Sequence, residues 1–356
     1  MSAIQSRKSD HLELCATDAV SFRERGTLLD EVSLVHDALP DLAIDDLDLS
    51  VSLFGKRLRL PLVIAAMTGG TDEARDINRA LATIAEEHGV GFGLGSQRAM
   101  QRDQAQLGTY LVRDVAKSTL VLGNIGVVQA GAMSSEEVRA LAEDVGADAL
   151  CVHLNPAMEL IQNDGDRDFR GGTETLTRLV RDLSLPIVVK ETGCGISPSV
   201  GKRLRAIGVN HIDVSGAGGT SWVGVEALRA ERKHDHEAES IGRQFWEWGV
   251  PTAVAVAGNA PLGFSTIIAT GGIANGVDAA RAIALGAHAV GIARPFLQHI
   301  KNGGIEGGRR AIRAFDRELR TSMLLTGSRT LADLARAPRV LGRDLQNWML
   351  QLASKT

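Results

Sequence analysis

Residues 265–296 read STIIATGGIANGVDAARAIALGAHAVGIARPF, and this stretch decides the fold. Two apolar runs, Ser265–Gly271 and Ala289–Pro295, predict strands that are buried on both faces, as in parallel sheets. Between them, VDAARAIALGA has helical spacing and ends at Gly286, a residue type that commonly follows a helix. The stretch therefore predicts a strand–helix–strand unit with a glycine pair directly after its first strand.

The same pattern recurs along the whole chain. Apolar runs that end in Gly, Ser, Asn or charged residues are separated by helical patterns such as ARDINRALATIAEEHG. The predicted strands are Leu60–Met67, Val90–Ser96, Leu120–Gly126, Ala147–Asn155, Pro186–Thr192, His211–Ala217, Ser265–Gly271 and Ala289–Pro295. Eight strands that alternate with helices predict an α/β protein with a (β/α)8 barrel. A doubly wound sheet is the alternative, but the glycines after the first strand lack the spacing of a dinucleotide fingerprint.

The barrel is predicted to cover residues 60–356 as a single domain. Residues 1–59 precede it, with a helix-like DHLELC and an aspartate-rich stretch, DLAIDDLDLS, that leads across the barrel floor. Residues 221–250 form the longest connection, between strands six and seven, and contain a charged run with little apolar content. Long connections of this kind are often functional, so we expect a long loop or lid there.

Composition excludes several classes of protein. The 356 residues carry a formal net charge of −4, so no basic excess is present to neutralise nucleic-acid phosphates. The apolar runs are too short to span a bilayer, and the N-terminal sequence lacks the apolar segment of a secretory signal. Three cysteines without metal-binding spacing fit a reducing compartment. We therefore expect a cytoplasmic protein that binds neither nucleic acid nor membranes.

Chemistry is expected at the carboxyl ends of the strands, where barrel enzymes place their active sites. The glycine pair Gly271–Gly272, the helix start at Asn275 and the charge of Arg294 together predict a phosphate site. Lys190 ends the apolar run PIVVK, where a buried ammonium needs an anionic partner. A reduced flavin would supply that negative charge, so the pattern favours a phosphorylated flavin cofactor.

Nine short strings in this sequence carry a family resemblance. In order they are RKSDH (7–11), MTGG (67–70), GSQR (95–98), HLNP (153–156), NDGDRDF (163–169), VKETGCG (189–195), DVSGAGGTSW (213–222), ATGG (269–272) and ARPF (293–296). Together they resemble type 2 isopentenyl-diphosphate Δ-isomerase, an FMN-dependent barrel enzyme. The resemblance implies interconversion of isopentenyl and dimethylallyl diphosphate in isoprenoid biosynthesis, with reduced FMN, Mg²⁺, and NADPH or NADH as reductant. It also implies a homo-oligomer, a tetramer or an octamer.

The resemblance further implies three sets of site residues. The FMN contacts it implies are Ala66, Met67, Thr68, Ser96, Asn124, Lys190, Ser215, Thr220, Gly271, Gly272, Ile273, Ala293 and Arg294. The substrate contacts it implies are Arg7, Lys8, His11, Ser96, Arg98, Asn155 and Met158. The catalytic residues it implies are Lys190, His153 and Glu159, with Glu159 also the Mg²⁺ ligand. Several cations are what a diphosphate requires, and arginine adds a bidentate fork.

One position departs from the family pattern. The family motif places Gln before the metal-binding Glu, whereas this chain has Met158 before Glu159. A thioether accepts hydrogen bonds only weakly and cannot shuttle a proton. Two alternatives therefore stay open beside the isomerase: a related FMN enzyme acting on another prenyl diphosphate, and a non-catalytic flavin-binding paralogue. A flavin oxidase of the α-hydroxy-acid type would need a catalytic His on the last strands, but His288 precedes strand eight.

Overall fold

The computed structural model describes residues 3–353. Residues 1–2, at the start of the predicted lead-in 1–59, and residues 354–356, at the end of the predicted barrel domain 60–356, lie outside the described residues. Eight consecutive parallel strands form a closed barrel, in which the last strand pairs with the first. The barrel strands are β4 (Leu62–Ile64), β5 (Gly91–Gly93), β6 (Val121–Gly126), β7 (Ala149–His153), β8 (Ile187–Lys190), β9 (His211–Asp213), β10 (Thr266–Thr270) and β11 (Ala289–Ile292). Each lies inside one of the eight predicted runs, so the (β/α)8 prediction is confirmed.

Helices surround the barrel. They are α1 (Ala3–Cys15), α2 (Asp72–His88), α3 (Arg98–Arg102), α4 (Val127–Gly131), α5 (Ser135–Glu143), α6 (Pro156–Ile161), α7 (Gly172–Asp182), α8 (Pro198–Ala206), α9 (Trp222–Arg232), α10 (His236–Gln244), α11 (Thr252–Asn259), α12 (Gly276–Ala284), α13 (Arg294–Leu324), α14 (Leu331–Arg336) and α15 (Arg343–Ala353). Local sequence sets their ends: Thr71 caps α2 by accepting from the Ala74 amide, and Gly89 ends that helix in the left-handed conformation. In the described part of the chain, no helix is long and apolar enough to cross a membrane.

Two small antiparallel pairs complete the strands. Strand β1 (Val32–Leu34) pairs with β12 (Arg339–Leu341), and β2 (Val51–Leu53) forms a hairpin with β3 (Lys56–Leu58). Leu53 and Leu58 of the hairpin pack with apolar side chains of the barrel strands, including Val63, in a cluster separate from the main core. The hairpin therefore closes the barrel floor, opposite the end at which chemistry is expected.

The connection after the sixth barrel strand differs from its prediction. Residues 221–250 were expected to form a long loop, but the structure contains helices α9 and α10 there, packed against each other. Both helices are capped by side chains, since Ser221 accepts from the Gly224 amide and Asp235 from the Ala238 amide. The charged run that suggested a loop is thus the exposed face of a helix pair. The predicted division between residues 59 and 60 stays a prediction.

Candidate active site

A cavity opens at the carboxyl ends of the barrel strands. Its empty space, including the open mouth, is about 1550 Å³, and the side of α1 that carries Arg7, Lys8 and His11 forms part of its wall. Every predicted cofactor, substrate and catalytic residue lines this cavity except Thr68. The carbonyl oxygen of Thr68 accepts from the Gly95 amide and the Asn78 side chain, and these bonds hold its backbone behind the cavity wall.

Lys190 has a protein counter-charge that the sequence reading did not identify. Its Nζ lies 3.4 Å from Asp213 Oδ2 and donates to the carbonyl oxygen of Glu191 at 2.7 Å. Strand register makes this pair, because Lys190 on β8 lies directly beside Asp213 on β9. Asp213 therefore supplies an anionic partner from within the barrel, in addition to the flavin that the sequence favours. The signal for Asp213 was a single acidic residue inside an otherwise apolar strand.

His153 is held as a neutral imidazole. Asn124 donates its amide hydrogen to the Leu94 carbonyl, so its oxygen is left to accept from His153 Nδ1 at 2.8 Å. Burial and the nearby charges of Lys190, Lys8 and Arg98 lower the pKa of His153 to about 3. The ring therefore carries its proton on Nδ1 and presents an unprotonated Nε2.

Three cations meet where α1 crosses the cavity. Arg7 and Lys8 come from α1, and Arg98 follows strand β5 at the start of α3. Lys8 and Arg98 are each only 9% exposed, so neither is a solvated surface cation. Burial, together with Arg7 and Arg98, lowers the pKa of Lys8 from 10.5 to about 7. Such a group of cations is stabilised by a ligand that carries several negative charges.

Glu159 lies beside this group at the start of α6. Its Oε1 accepts from Asn155 Nδ2 at 3.0 Å, and its Oε2 accepts from the Asp166 amide at 2.8 Å. Arg98 Nη1 lies 3.5 Å from Glu159 Oε1 and 3.6 Å from Asp166 Oδ2. Among the described residues no group of three or more His, Cys, Asp or Glu is placed to hold a metal. Glu159 therefore fits Mg²⁺ as one carboxylate ligand beside substrate oxygens, which is how proteins usually hold this ion.

His11 is fixed by a network that reaches into the helix pair. Its Nε2 lies 2.7 Å from Glu226 Oε1 on α9, and its ring contacts the edge of Trp222 with centroids 5.1 Å apart. Arg229 forms ion pairs with both Glu226 and Asp10. Glu226, only 3% exposed, was not predicted as a functional residue, because an acidic residue within a charged helix gives no distinguishing signal.

Asn275, the helix start predicted for the phosphate site, does not line the cavity. At α12, Asn275 caps the helix and the Gly276 amide donates to Glu318, so carboxylate and amide oxygens already serve that end. The long helix α13 begins instead at Ala293, which provides no capping side chain and lines the cavity. The glycine pair 271–272 lies on the same wall. The start of α13, rather than that of α12, is therefore the helix dipole that can favour a phosphate in the cavity.

Thr270 gives a further test of whether a flavin nucleotide fits. Its Oγ1 is buried and has no hydrogen-bond partner among the described residues, although Thr270 lines the cavity. The neighbouring strand has glycine at position 291, where a Cβ would lie 2.1 Å from that oxygen. An orphaned hydroxyl, a glycine-lined wall and a helix start without a side-chain cap are features that a phosphorylated aromatic cofactor can use.

Comparison with known proteins places the chain in a family. The model of the FMN-dependent dehydrogenases matches residues 2–154 and 153–340. An isopentenyl-diphosphate delta-isomerase of Methanosarcina mazei is 42% identical over 94% of this chain and 91% of its own length. One from Methanothermobacter thermautotrophicus is 40% identical over 99% of this chain and 98% of its own. The chain belongs to the isopentenyl-diphosphate delta-isomerase family.

Solved structures agree with this family on the fold. A mandelate oxidase with (S)-2-phenylpropionate matches with a TM-score of 0.65 and 19% identity, over 95% of this chain and 97% of its own. At that identity the likeness shows the barrel alone. In this member of the isopentenyl-diphosphate delta-isomerase family, His288 Nδ1 accepts from the Ile267 amide just before strand β11, at the end of the barrel opposite the cavity. His288 is therefore not available as an oxidase base.

Proposed function

We propose that the protein interconverts isopentenyl and dimethylallyl diphosphate, and that it does so with bound FMN and Mg²⁺. The observation that carries the proposal is the group of Arg7 with the buried cations Lys8 and Arg98 on the cavity wall, beside the carboxylate of Glu159. A diphosphate supplies the negative charge that this group lacks, and Mg²⁺ would join its oxygens to Glu159. The relatives named isopentenyl-diphosphate delta-isomerase, at about 40% identity over nearly the full chain, support the same reaction.

We propose that one set of residues binds the diphosphate of the substrate and another set contacts its hydrocarbon part. Arg7, Lys8 and Arg98 bind the diphosphate and hold the hydrocarbon part against the inner cavity wall, which fixes its orientation for proton transfer. Neutral His153 accepts a hydrogen bond at Nε2 but, with a pKa of about 3, is too weak a base to hold the substrate proton. Met158 lines the cavity and provides apolar packing for the tail.

FMN is proposed to lie over the strand ends, with its phosphate at the glycine pair and the start of α13. Residues proposed to hold it are Ala66, Met67, Ser96, Asn124, Lys190, Ser215, Thr220, Gly271, Gly272, Ile273, Ala293 and Arg294. When bound and reduced, FMN supplies negative charge and a proton-transfer group beside the alkene. Lys190, already oriented by Asp213, stabilises that negative charge from within the barrel. NADPH or NADH is the proposed reductant, and the active form is proposed to be a homo-oligomer.

An anaerobic assay tests the reaction. Purified protein is incubated with FMN, dithionite, Mg²⁺ and isopentenyl diphosphate in D₂O, and the product is analysed by mass spectrometry. Deuterated dimethylallyl diphosphate is the expected product, and its formation would also show that a Gln at position 158 is dispensable. No product from a protein that binds and reduces flavin would reject the isomerase, and the related FMN enzyme on another prenyl diphosphate would then be tested.

A further inference from the structure

Buried nitrogen atoms without a partner are concentrated in one place. In the described part of the chain, three buried side-chain nitrogens have no hydrogen-bond partner: Arg7 Nε, Arg98 Nε and Gln162 Nε2. All three residues line the same cavity. Each of these nitrogens is a donor, and a buried donor without an acceptor is costly. A ligand rich in acceptor oxygens would satisfy all three.

Gln162 is the member of this set that sequence reasoning did not identify. Arg7 Nη1 donates to Gln162 Oε1 at 2.8 Å. A guanidinium has no acceptor, so this contact fixes the orientation of the amide and leaves its NH₂ as the unpaired end. The residue is 5% exposed, and therefore water outside the protein does not serve that NH₂.

The other side-chain amides of the cavity wall are already paired. Asn124 donates to the Leu94 carbonyl, Gln129 to Asp166 and Asn155 to Glu159. Among the four amides that line the cavity in the described chain, Gln162 alone has an NH₂ without a protein acceptor.

The backbone holds Gln162 firmly at this position. It follows the last turn of α6, where its amide donates to the Met158 carbonyl at 3.3 Å and its own carbonyl accepts from Arg167 Nη2 at 2.5 Å. An unpaired donor on a mobile loop could turn to solvent, but this one is fixed from both sides. Its position is therefore prepared before a ligand arrives, which reduces the entropy lost on binding.

An amide is also the donor that this place can best accommodate. Burial lowers the pKa of Lys8 to about 7 and the charges of Arg7 and Arg98 add to the shift, so a fourth cation here would add further repulsion. A neutral NH₂ adds a hydrogen bond without adding charge. Glu159 and Asp166 already place carboxylate oxygens 3.5 and 3.6 Å from Arg98, and a further carboxylate at position 162 would repel an anionic ligand.

We propose that Gln162 binds the substrate by donating its free NH₂ to a diphosphate oxygen, between the contacts made by Arg7 and Arg98. The proposal rests on the proposed function, since it assigns a further residue to the same diphosphate site. It identifies the ligand only by its chemistry, a polyphosphate with several acceptor oxygens.

Inorganic diphosphate is the probe for the first experiment. It is titrated calorimetrically into the flavin-loaded protein at fixed Mg²⁺, for the unaltered chain, Gln162→Met and the matched control Gln129→Met. Both variants replace a cavity amide with a side chain of similar size, but only Gln162 has an unpaired NH₂. Gln162→Met is expected to weaken binding about 10-fold, and Gln129→Met by less than about 3-fold. Equal effects of the two variants, or an unchanged affinity for Gln162→Met, would overturn the proposal.

A second experiment separates a direct contact from an effect through Arg7. Gln162→Met is repeated in an Arg7→Met background. A direct donor keeps its effect of about 10-fold there, whereas an amide that only holds Arg7 loses it, and that loss would overturn the proposal. Thermal unfolding and flavin absorbance verify that each variant is folded. If Gln162→Met does not fold, Gln162→Glu is used instead, because it keeps the side-chain oxygen that accepts from Arg7. Gln162→Glu is expected to weaken diphosphate binding at least 10-fold, and an unchanged affinity for diphosphate would contradict the proposal.

Turnover distinguishes this proposal from the proposed function. With isopentenyl diphosphate, Gln162→Met is expected to raise KM about 10-fold and to change kcat little, as for a contact made equally in ground and transition states. An unaltered chain that isomerises the substrate while Gln162→Met is unaffected would overturn the Gln162 assignment alone. An unaltered chain that binds diphosphate through Gln162 but forms no product would overturn the isomerase and support the diphosphate contact.

Discussion

Raising the pH from 7 to 9 is expected to weaken substrate binding through Lys8. Its ammonium is buried on α1 beside Arg7 and Arg98, and its pKa is lowered to about 7. The free enzyme therefore loses this cation in a pH range where the substrate diphosphate keeps its charge. Other groups facing the site contribute little, because His153, with a pKa of about 3, is already neutral. Burial also lowers the pKa of His11, although Glu226 opposes that shift.

The magnitude follows from the fraction of enzyme that carries the charge. The apparent dissociation constant is the intrinsic one divided by that fraction, so KM is expected to rise about 10-fold for each pH unit above 7. A hydrogen bond to a charged group contributes about 1.5–3 kcal/mol, so the rise levels off at roughly 10- to 150-fold, where neutral Lys8 still permits some binding. Protonation favours binding, so KM is lowest on the acidic side of this range.

The assay measures KM for isopentenyl diphosphate anaerobically from pH 7 to pH 9.5. Lys8→Arg keeps its charge throughout and is expected to give a flat profile, while Lys8→Met is expected to give a high KM at every pH. A flat profile for the unaltered enzyme would refute the reasoning. A rise that persists in Lys8→Arg would assign the titration to another group.

Three further changes test the site. Asp213→Asn leaves Lys190 without its counter-charge and is expected to lower the free energy of unfolding, measured in urea, by about 3–5 kcal/mol. Adding Lys190→Met is expected to restore part of this loss, and a loss below about 1 kcal/mol would contradict the prediction. Met158→Gln is expected to raise isomerase kcat by up to about 100-fold, and an unchanged or lower kcat would show that position 158 is not a weakened acid–base site. Gly291→Ala brings a Cβ onto Thr270 Oγ1 and is expected to cost about 1–3 kcal/mol of stability and to reduce bound FMN, whereas full FMN content would argue against contact there.

The sequence predicted the barrel well because the strands are buried on both faces. The runs predicted as strands, such as Pro186–Thr192, have a buried apolar centre, and each of the eight contains an observed strand. The helix pair α9–α10 was missed because α10 has few apolar positions, and its contacts with α9 supply what the local pattern lacks. Charged surface helices are stabilised largely by such tertiary packing, which no local window contains.

The candidate site was predictable where a residue follows a strand or has a role that the family resemblance implies, but the contacts between its residues were not. Asp213 pairs with Lys190 across the strand register, and Gln162 meets Arg7 from 155 positions away. Neither contact has a sequence spacing that could reveal it. That the start of α12 is already occupied was likewise hidden, because Glu318, which accepts from the Gly276 amide, lies 42 positions away in the chain.

The contacts of helix α1 also determine when the candidate site can form during synthesis on the ribosome. It is synthesised before its partners: Glu226, which contacts His11, lies 215 residues later in the chain, and Gln162, which accepts from Arg7, lies 155 residues later. At translation rates of about 5–20 residues per second, the helix is synthesised roughly 10–40 s before Glu226. Arg7 and Lys8, the cations of α1 that are proposed to bind the diphosphate, therefore spend that interval without Glu226, and the proposed site is complete only late in biosynthesis.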